Sequence, residues 1–185
     1  MKELNIEEIK QKTNKIANIE YYQEIDSTHN YAKRTIDKQK DKTVIIAEKQ
    51  TGGIGTKGRK WHTGEGKNIA MTIVLKPGCD IKQLDGYTVK KAQEIKKSIK
   101  ELYGYELEIK EPNDLMLNGK KICGILTEIH TIGEKVKYII LSFGFNVNED
   151  DFSEEINDIA TSLKKEFKKE FSREDIICNI INKLL

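Results

Sequence analysis

The densest concentration of chemistry-capable residues is QTGGIGTKGRKWHTGEGKN, Gln50 to Asn68. It combines Gly52, Gly53, Gly55, Gly58, Gly64 and Gly66 with Lys57, Arg59, Lys60, Lys67 and the chain's only tryptophan, Trp61. Glycines allow successive backbone amides to turn toward one oxyanion, and the lysines and arginine add mobile positive charge. Trp61 offers a flat face to a ring such as adenine. The run GIGTKG, Gly53 to Gly58, matches a dinucleotide fingerprint in letters. That site needs a helix to open there, and RKWHTGEGKN has no helical periodicity. A P-loop fails as well, because Arg59-Lys60 follows Gly58 where Lys and then Ser or Thr are required. On composition the segment could be a bare surface loop. Its length between two strands points instead to a lid that closes over a phosphate-bearing ligand.

A second constellation is KEPNDLMLNGKKICGILTE, Lys110 to Glu128. Lys110 and Lys121 flank a hairpin that also carries Asn113 and Asp114. A lone lysine is ordinarily a solvated charge. Lys121, however, lies between a turn and the apolar ICGIL run, where a strand side chain can point inward. Asp114 is either a turn residue or a carboxylate that positions magnesium or a polar group of a ligand.

Other chemistries are set aside. Cys79, Cys123 and Cys178 form no C-x-x-C pair and read as small buried hydrophobes. His29, His62 and His130 show no metal-ligand spacing. The formal net charge is only +2, so a broad nucleic-acid footprint is not expected. MKELNIEEIK lacks the apolar stretch of a signal peptide, and YIILSFGF is too short to span a bilayer. These features predict a cytoplasmic protein that does not enter a membrane.

Elements must hold those residues in place. With 185 residues, 37% of them hydrophobic, and no linker, the chain reads as a single α+β domain. Residues 1–18 read as a polar arm or short helix, and 19–185 as the domain proper. IEYYQEI, KTVIIAEKQ, IAMTIVLKP and KVKYIILSFGFNVN have strand character, the last apolar enough to be central. Asp26-Ser27-Thr28 offers cap chemistry for a helix over HNYAKRTIDKQ. Apolar spacing from about Leu84 predicts a long helix stopped by Gly104. Asn118-Gly119 and Gly133-Glu134 mark hairpins. Ser172 and Asp175 suggest a capped helix with Ile176, Ile177, Ile180, Ile181, Leu184 and Leu185 on one face.

Four blocks in order, DSTHNYAK, AEKQTGGIGTKGRKWHTGEGKN, KEPNDLMLNGKKICGILTE and GFNVN, resemble the catalytic domain of the biotin protein ligases. These are relatives of class II aminoacyl-tRNA synthetases and lipoate ligases. The resemblance implies a class II synthetase-like mixed sheet with flanking helices. It also implies ATP- and magnesium-dependent activation of biotin to biotinyl-5′-adenylate. Transfer to a lysine of a biotin carboxyl carrier protein would follow. By position it assigns Ser27, Thr28, His29, Gln50 and Gly53-Ile54-Gly55-Thr56 to biotin. Lys57, Gly58, Arg59, Trp61, Asn113 and Asp114 fall on the nucleotide side. Lys121 would bridge biotin carboxylate and α-phosphate, with Lys110 near the phosphates. A ligase or transferase for lipoate or octanoate, or a non-catalytic module binding biotin or its adenylate, remains an alternative.

The chain departs from the family pattern G-R-G-R-[RK]-G-R at Ile54 and Thr56, where arginines are expected. His29 stands for asparagine and Glu111 for tryptophan. Each missing charged contact would cost roughly 1.5–3 kcal/mol, so loose retention of the adenylate or an altered acyl preference is expected. Eighteen residues before Ile19 are too few for a winged helix-turn-helix, so no DNA partner is expected. The family's small C-terminal β-barrel is expected to be absent. An oligomeric state is not readable.

Overall fold

The strands are β1 (Asn18–Ile25), β2 (Thr43–Gln50), β3 (Ile69–Leu75), β4 (Glu108–Lys110), β5 (Asp114–Leu117), β6 (Lys120–Ile132) and β7 (Lys135–Phe145). The largely apolar runs of β2, β3 and β7 leave little face for water, which places these strands inside a sheet. In the computed structural model, which describes residues 3–185, they sit side by side in one seven-stranded sheet. The order is β1-β2-β3-β7-β6-β5-β4. Only β1 and β2 run parallel, and all other neighbours are antiparallel. A parallel pair requires a crossover, and α2 (Thr28–Arg34) lies in the connection between them. The expected α+β mixed sheet with flanking helices is what the chain forms.

Period-2 alternation divides the sheet into two unlike faces. Val44, Ile46, Met71, Ile73, Leu141 and Phe143 join the large core. Helices α1 (Ile6–Lys12), α3 (Tyr87–Tyr103) and α5 (Arg173–Leu184) supply Ile9, Ile95, Ile99, Ile177 and Ile181 to it. Full burial of such side chains contributes roughly 1.5–3 kcal/mol each. Ile45, Val74 and Ile140 point the other way, into a small cluster with Ala32 of α2. The same alternation puts Thr72, Ser142, Gly124 and Gly144 on this thinly covered face. The site lies there.

Local chemistry sets the element ends. Ser27 caps α2 by accepting the Asn30 amide, and Ser172 caps α5 by accepting the Asp175 amide. Gly104 closes α3 in the left-handed region at φ 75. Asn118 and Gly119, both at positive φ, turn β5 into β6.

Three expectations need correction. The helix read through HNYAKRTIDKQ ends at Arg34. The Thr35 hydroxyl and amide both bond back to the Tyr31 carbonyl, and the chain then turns to reach β2. The N-terminal segment is not simply polar, because α1 buries Ile9 and the preceding Leu4 in the core. Met1 and Lys2, part of that expectation, lie outside the described residues. Cys123 and Cys178 are buried as read, whereas Cys79 is only half-buried. An unanticipated short helix, α4 (Leu163–Phe167), follows a run of turns. Among the described residues no helix is long and apolar enough to cross a membrane.

Candidate active site

The thinly covered face of the sheet has a glycine floor. Gly124 on β6 pairs with Gly144 on β7, so two neighbouring positions lack side chains. Glycine inside a strand often marks a close approach by another group. Here that group is Trp61: a β-carbon at Gly144 would overlap the indole, and one at Gly124 would lie 3.0 Å from its ring. The indole Nε1 is buried without a hydrogen-bond partner. Beside the ring is a narrow cavity of about 30 Å³, lined among others by Ser27, Thr28, Gln50, Lys121 and Ser142.

One wall of this cavity is a continuous chain of polar groups. Gln50 Oε1 accepts the Thr28 amide at 2.9 Å and the Thr28 hydroxyl at 3.2 Å. Thr72 bonds Thr28 at 2.9 Å and Ser142 at 2.8 Å, and Ser142 meets His29 Nδ1 at 2.8 Å. The far nitrogen of His29 faces Glu128 at 3.3 Å, and Lys33 pairs with Glu128 at 2.8 Å. Burial pushes the His29 imidazole below its usual range, although Glu128 opposes that shift. Lys33, then His29, hold the Glu128 carboxyl below the usual carboxylate range against partial burial.

Lys121 reaches the opposite wall through a defect in strand pairing. Leu115 pairs with Cys123, but Met116 pairs with Lys121, so β6 carries one extra residue there. Ile122 and Cys123 consequently both enter the core, and Lys121 joins the face of Gly124. Its backbone is fixed on both sides, by Lys121 N–H to the Ile159 carbonyl and by the Thr161 amide to the Lys121 carbonyl. Its ammonium lies 2.7 Å from Asp114 and 5.4 Å from the Trp61 ring centroid. Asp114 Oδ1 has no aligned hydrogen bond, so this contact is one of charge.

The glycine-rich segment is an ordered flap. Ile54 bridges Lys60, the Trp61 amide donates to the Gly53 carbonyl, and the Gly55 amide to the Arg59 carbonyl. A 3₁₀ turn over Thr56–Gly58 reverses the chain, with Lys57 at φ 58 and Gly58 at φ 73. The expected cradle of amides is therefore only partly available, because several already have partners. Those of Gly55, Arg59 and Trp61 donate within the flap, and those of Thr51 and Gly52 donate to the Ile25 and Asp26 carbonyls.

The structure brings most of the expected residues together and separates a few. Ser27, Thr28, His29, Gln50, Ile54, Gly55, Thr56, Trp61, Asn113 and Lys121 line the narrow cavity. Arg59, Lys110 and Asp114 line an adjoining cavity of about 440 Å³, which Trp61 and Lys121 share. Gly53 and Gly58 face a third of about 660 Å³, which Glu149, Asp151 and Phe152 also line. Lys57 is exposed at the flap tip and lines none of the three. Asn113 uses its side-chain amide to bond the Ile125 carbonyl and so pins the strand. Thr72 and Ser142 were not singled out in the sequence, and Glu128, Gly124 and Gly144 were included only as members of longer blocks with no role given to them. A polar residue within each of two apolar strands, IAMTIVL and YIILSFGF, was the available signal.

A family model described as the biotin/lipoate A/B protein ligase family matches residues 21–146. The bifunctional ligase/repressor BirA of Bacillus spizizenii is 38% identical over 141 residues, 75% of this chain and 43% of that protein. The biotin–protein ligase of Homo sapiens is 30% identical over 133 residues, 69% of this chain and 18% of that protein. A solved structure of biotin protein ligase from Aquifex aeolicus, in complex with biotin and ATP, aligns with a TM-score of 0.77 at 27% identity. That alignment covers 91% of this chain and 69% of that one. The chain spans less than half the length of these two curated relatives.

Proposed function

The chain belongs to the biotin/lipoate A/B protein ligase family, and from that footing we propose that it activates biotin with ATP and passes it to a protein lysine. The observation that carries this reading is Lys121. Its backbone is locked and its ammonium is held where the narrow cavity and the 440 Å³ cavity meet.

The chemistry needs a cation at that junction. A biotin carboxylate oxygen attacks the α-phosphorus of ATP, a P–O bond forms, and pyrophosphate leaves. Two anions must approach each other, and in a partly dehydrated site their repulsion is large. Lys121 can turn from Asp114 to lie between them. The Ser27, Thr28, His29 and Gln50 end of the narrow cavity would receive the ring of biotin once Trp61 and the flap shift, since about 30 Å³ has room for little more than a water. Lys110 and Arg59 border the space for ATP. In the second step a lysine amine of a biotin carboxyl carrier protein attacks the acyl carbon, AMP leaves, and an amide remains.

Trp61 and the flap would exclude water from the labile mixed anhydride. No cluster of three or more His, Cys, Asp or Glu able to hold a metal exists among the described residues. Magnesium commonly arrives on phosphates with one or two protein carboxylates, and Asp114 at the cavity wall fits that donor set. When bound, the ion neutralises phosphate charge.

The test is product formation. With biotin, ATP and magnesium the protein should make biotinyl-5′-adenylate and then a biotin amide on an acceptor lysine of a carrier protein. Absence of both products would remove the reading.

A further inference from the structure

The hydrogen-bonded wall of the narrow cavity has a direction, and that direction identifies a proton. The Thr28 hydroxyl donates to Gln50 and accepts from Thr72. A hydroxyl carries one proton, so Thr72 must accept from Ser142. Ser142 has then used its proton, and His29 Nδ1 must donate to Ser142. The other ring nitrogen faces a Glu128 oxygen at 3.3 Å, where a lone pair would oppose the carboxylate. This arrangement therefore suits an imidazolium ion. The charged groups facing the ring are Glu128 on β6 and Lys33 on α2, while β3 and β7 contribute only the neutral Thr72 and Ser142.

Loss of one proton reverses the chain. With the remaining proton on Nε2, directed at Glu128, Nδ1 becomes an acceptor for Ser142, and Ser142 accepts from Thr72. Thr28 then no longer receives the Thr72 proton. A lone pair is freed on Thr28, or on Gln50 if Thr28 turns its own proton to Thr72. Both residues line the cavity. A cyclic urea such as the biotin ring presents N–H donors that need such acceptors.

We infer that His29 and Glu128 form a positioning pair that sets the donor–acceptor polarity of the cavity wall, so that binding of a cyclic urea releases a proton from His29. This rests on biotin being the acid bound. Burial of His29 favours the neutral ring that the ligand needs, and Glu128 keeps the cation within reach.

The experiment is calorimetric titration of the full chain with biotin between pH 5.5 and 8, in buffers of different ionisation enthalpy. The expected result is proton release that fades as pH rises past the His29 pKa, with affinity increasing roughly three- to tenfold over the range. Glu128→Gln should move the release window to lower pH, and His29→Asn should abolish release. Biotin binding without proton release in the unaltered protein would overturn the inference. If biotin does not bind at all, the functional reading fails, and the ring nitrogen shifts of ligand-free His29 decide the network separately. A cation at low pH that becomes the Nε2–H tautomer supports it. A ring that stays neutral throughout, or becomes the Nδ1–H tautomer, overturns it.

Discussion

The indole of Trp61 lies directly over the α-carbon of Gly144, in space that any side chain at that position would take. Gly144 has ordinary backbone angles, so adding a methyl group there is a purely steric test. Gly144→Ala should displace Trp61 while leaving the sheet folded, at a cost of about 1–3 kcal/mol. Trp61 is the only tryptophan, so its emission reports this directly. A red shift with at least a tenfold loss of adenylation is expected. Unchanged emission and activity would show that the ring has no role in the site.

Lys121 contributes little to the core, since it is held by Asp114 and its own backbone. Lys121→Ala should therefore retain the unfolding temperature to within a few degrees. Adenylate formation should fall by roughly 10²- to 10³-fold, the usual effect of removing one transition-state donor. Near-normal formation in a folded variant would exclude Lys121 from the mechanism.

The loop departures bear on retention. Ile54 is tied to Lys60 across the flap, and the Arg59 guanidinium bonds back to Thr56 at 3.0 Å. Neither Ile54 nor Thr56 can supply the charge that arginines would. Biotinyl-5′-adenylate should escape into solution at levels well above trace, as measured by rapid filtration and chromatography. Thr56→Arg should reduce that escape severalfold. Trace-level escape from the unaltered protein would end the loose-retention account.

Glu48 and Arg173 form a buried ion pair that joins β2 to the start of α5. Glu48 also accepts the Leu4 amide and the Tyr21 hydroxyl. Burial alone would raise its carboxyl, but Arg173, the Leu4 amide and Tyr21 together hold it below the ordinary value. The folded pKa is thus depressed, so its stabilisation is present above the unfolded pKa and is lost as pH falls through the folded one. Glu48→Ala leaves Arg173 without this carboxylate and should cost about 3–5 kcal/mol. Its thermal unfolding should also respond less to acid than that of the unaltered chain. An unchanged midpoint would show that the pair is not a stabilising clamp.

The fold was legible where one element's own chemistry decides its form. The β-branched runs of β2, β3 and β7, the Asn118-Gly119 turn and the Ser172 cap follow from local sterics and hydrogen bonds. The site was legible only as residue types. That Lys121 shares a face with Gly124 depends on an extra residue in β6, and such a register shift exists only once β5 is paired. Thr72 and Ser142 are 70 positions apart and become one hydrogen-bonded wall through the pairing of β3 with β7. The glycine-rich flap was legible only in part for a related reason. Its composition suits amides turned outward, while its cross-flap bonds turn several of them inward.

The central claim is that the narrow and 440 Å³ cavities join an acid to ATP beside Lys121. ATP–pyrophosphate exchange with magnesium, comparing biotin, lipoate and no added acid, tests it most directly. The account predicts exchange with biotin and none above background with lipoate or without acid. Biotin binding accompanied by no exchange would contradict it and leave a module that binds without activating.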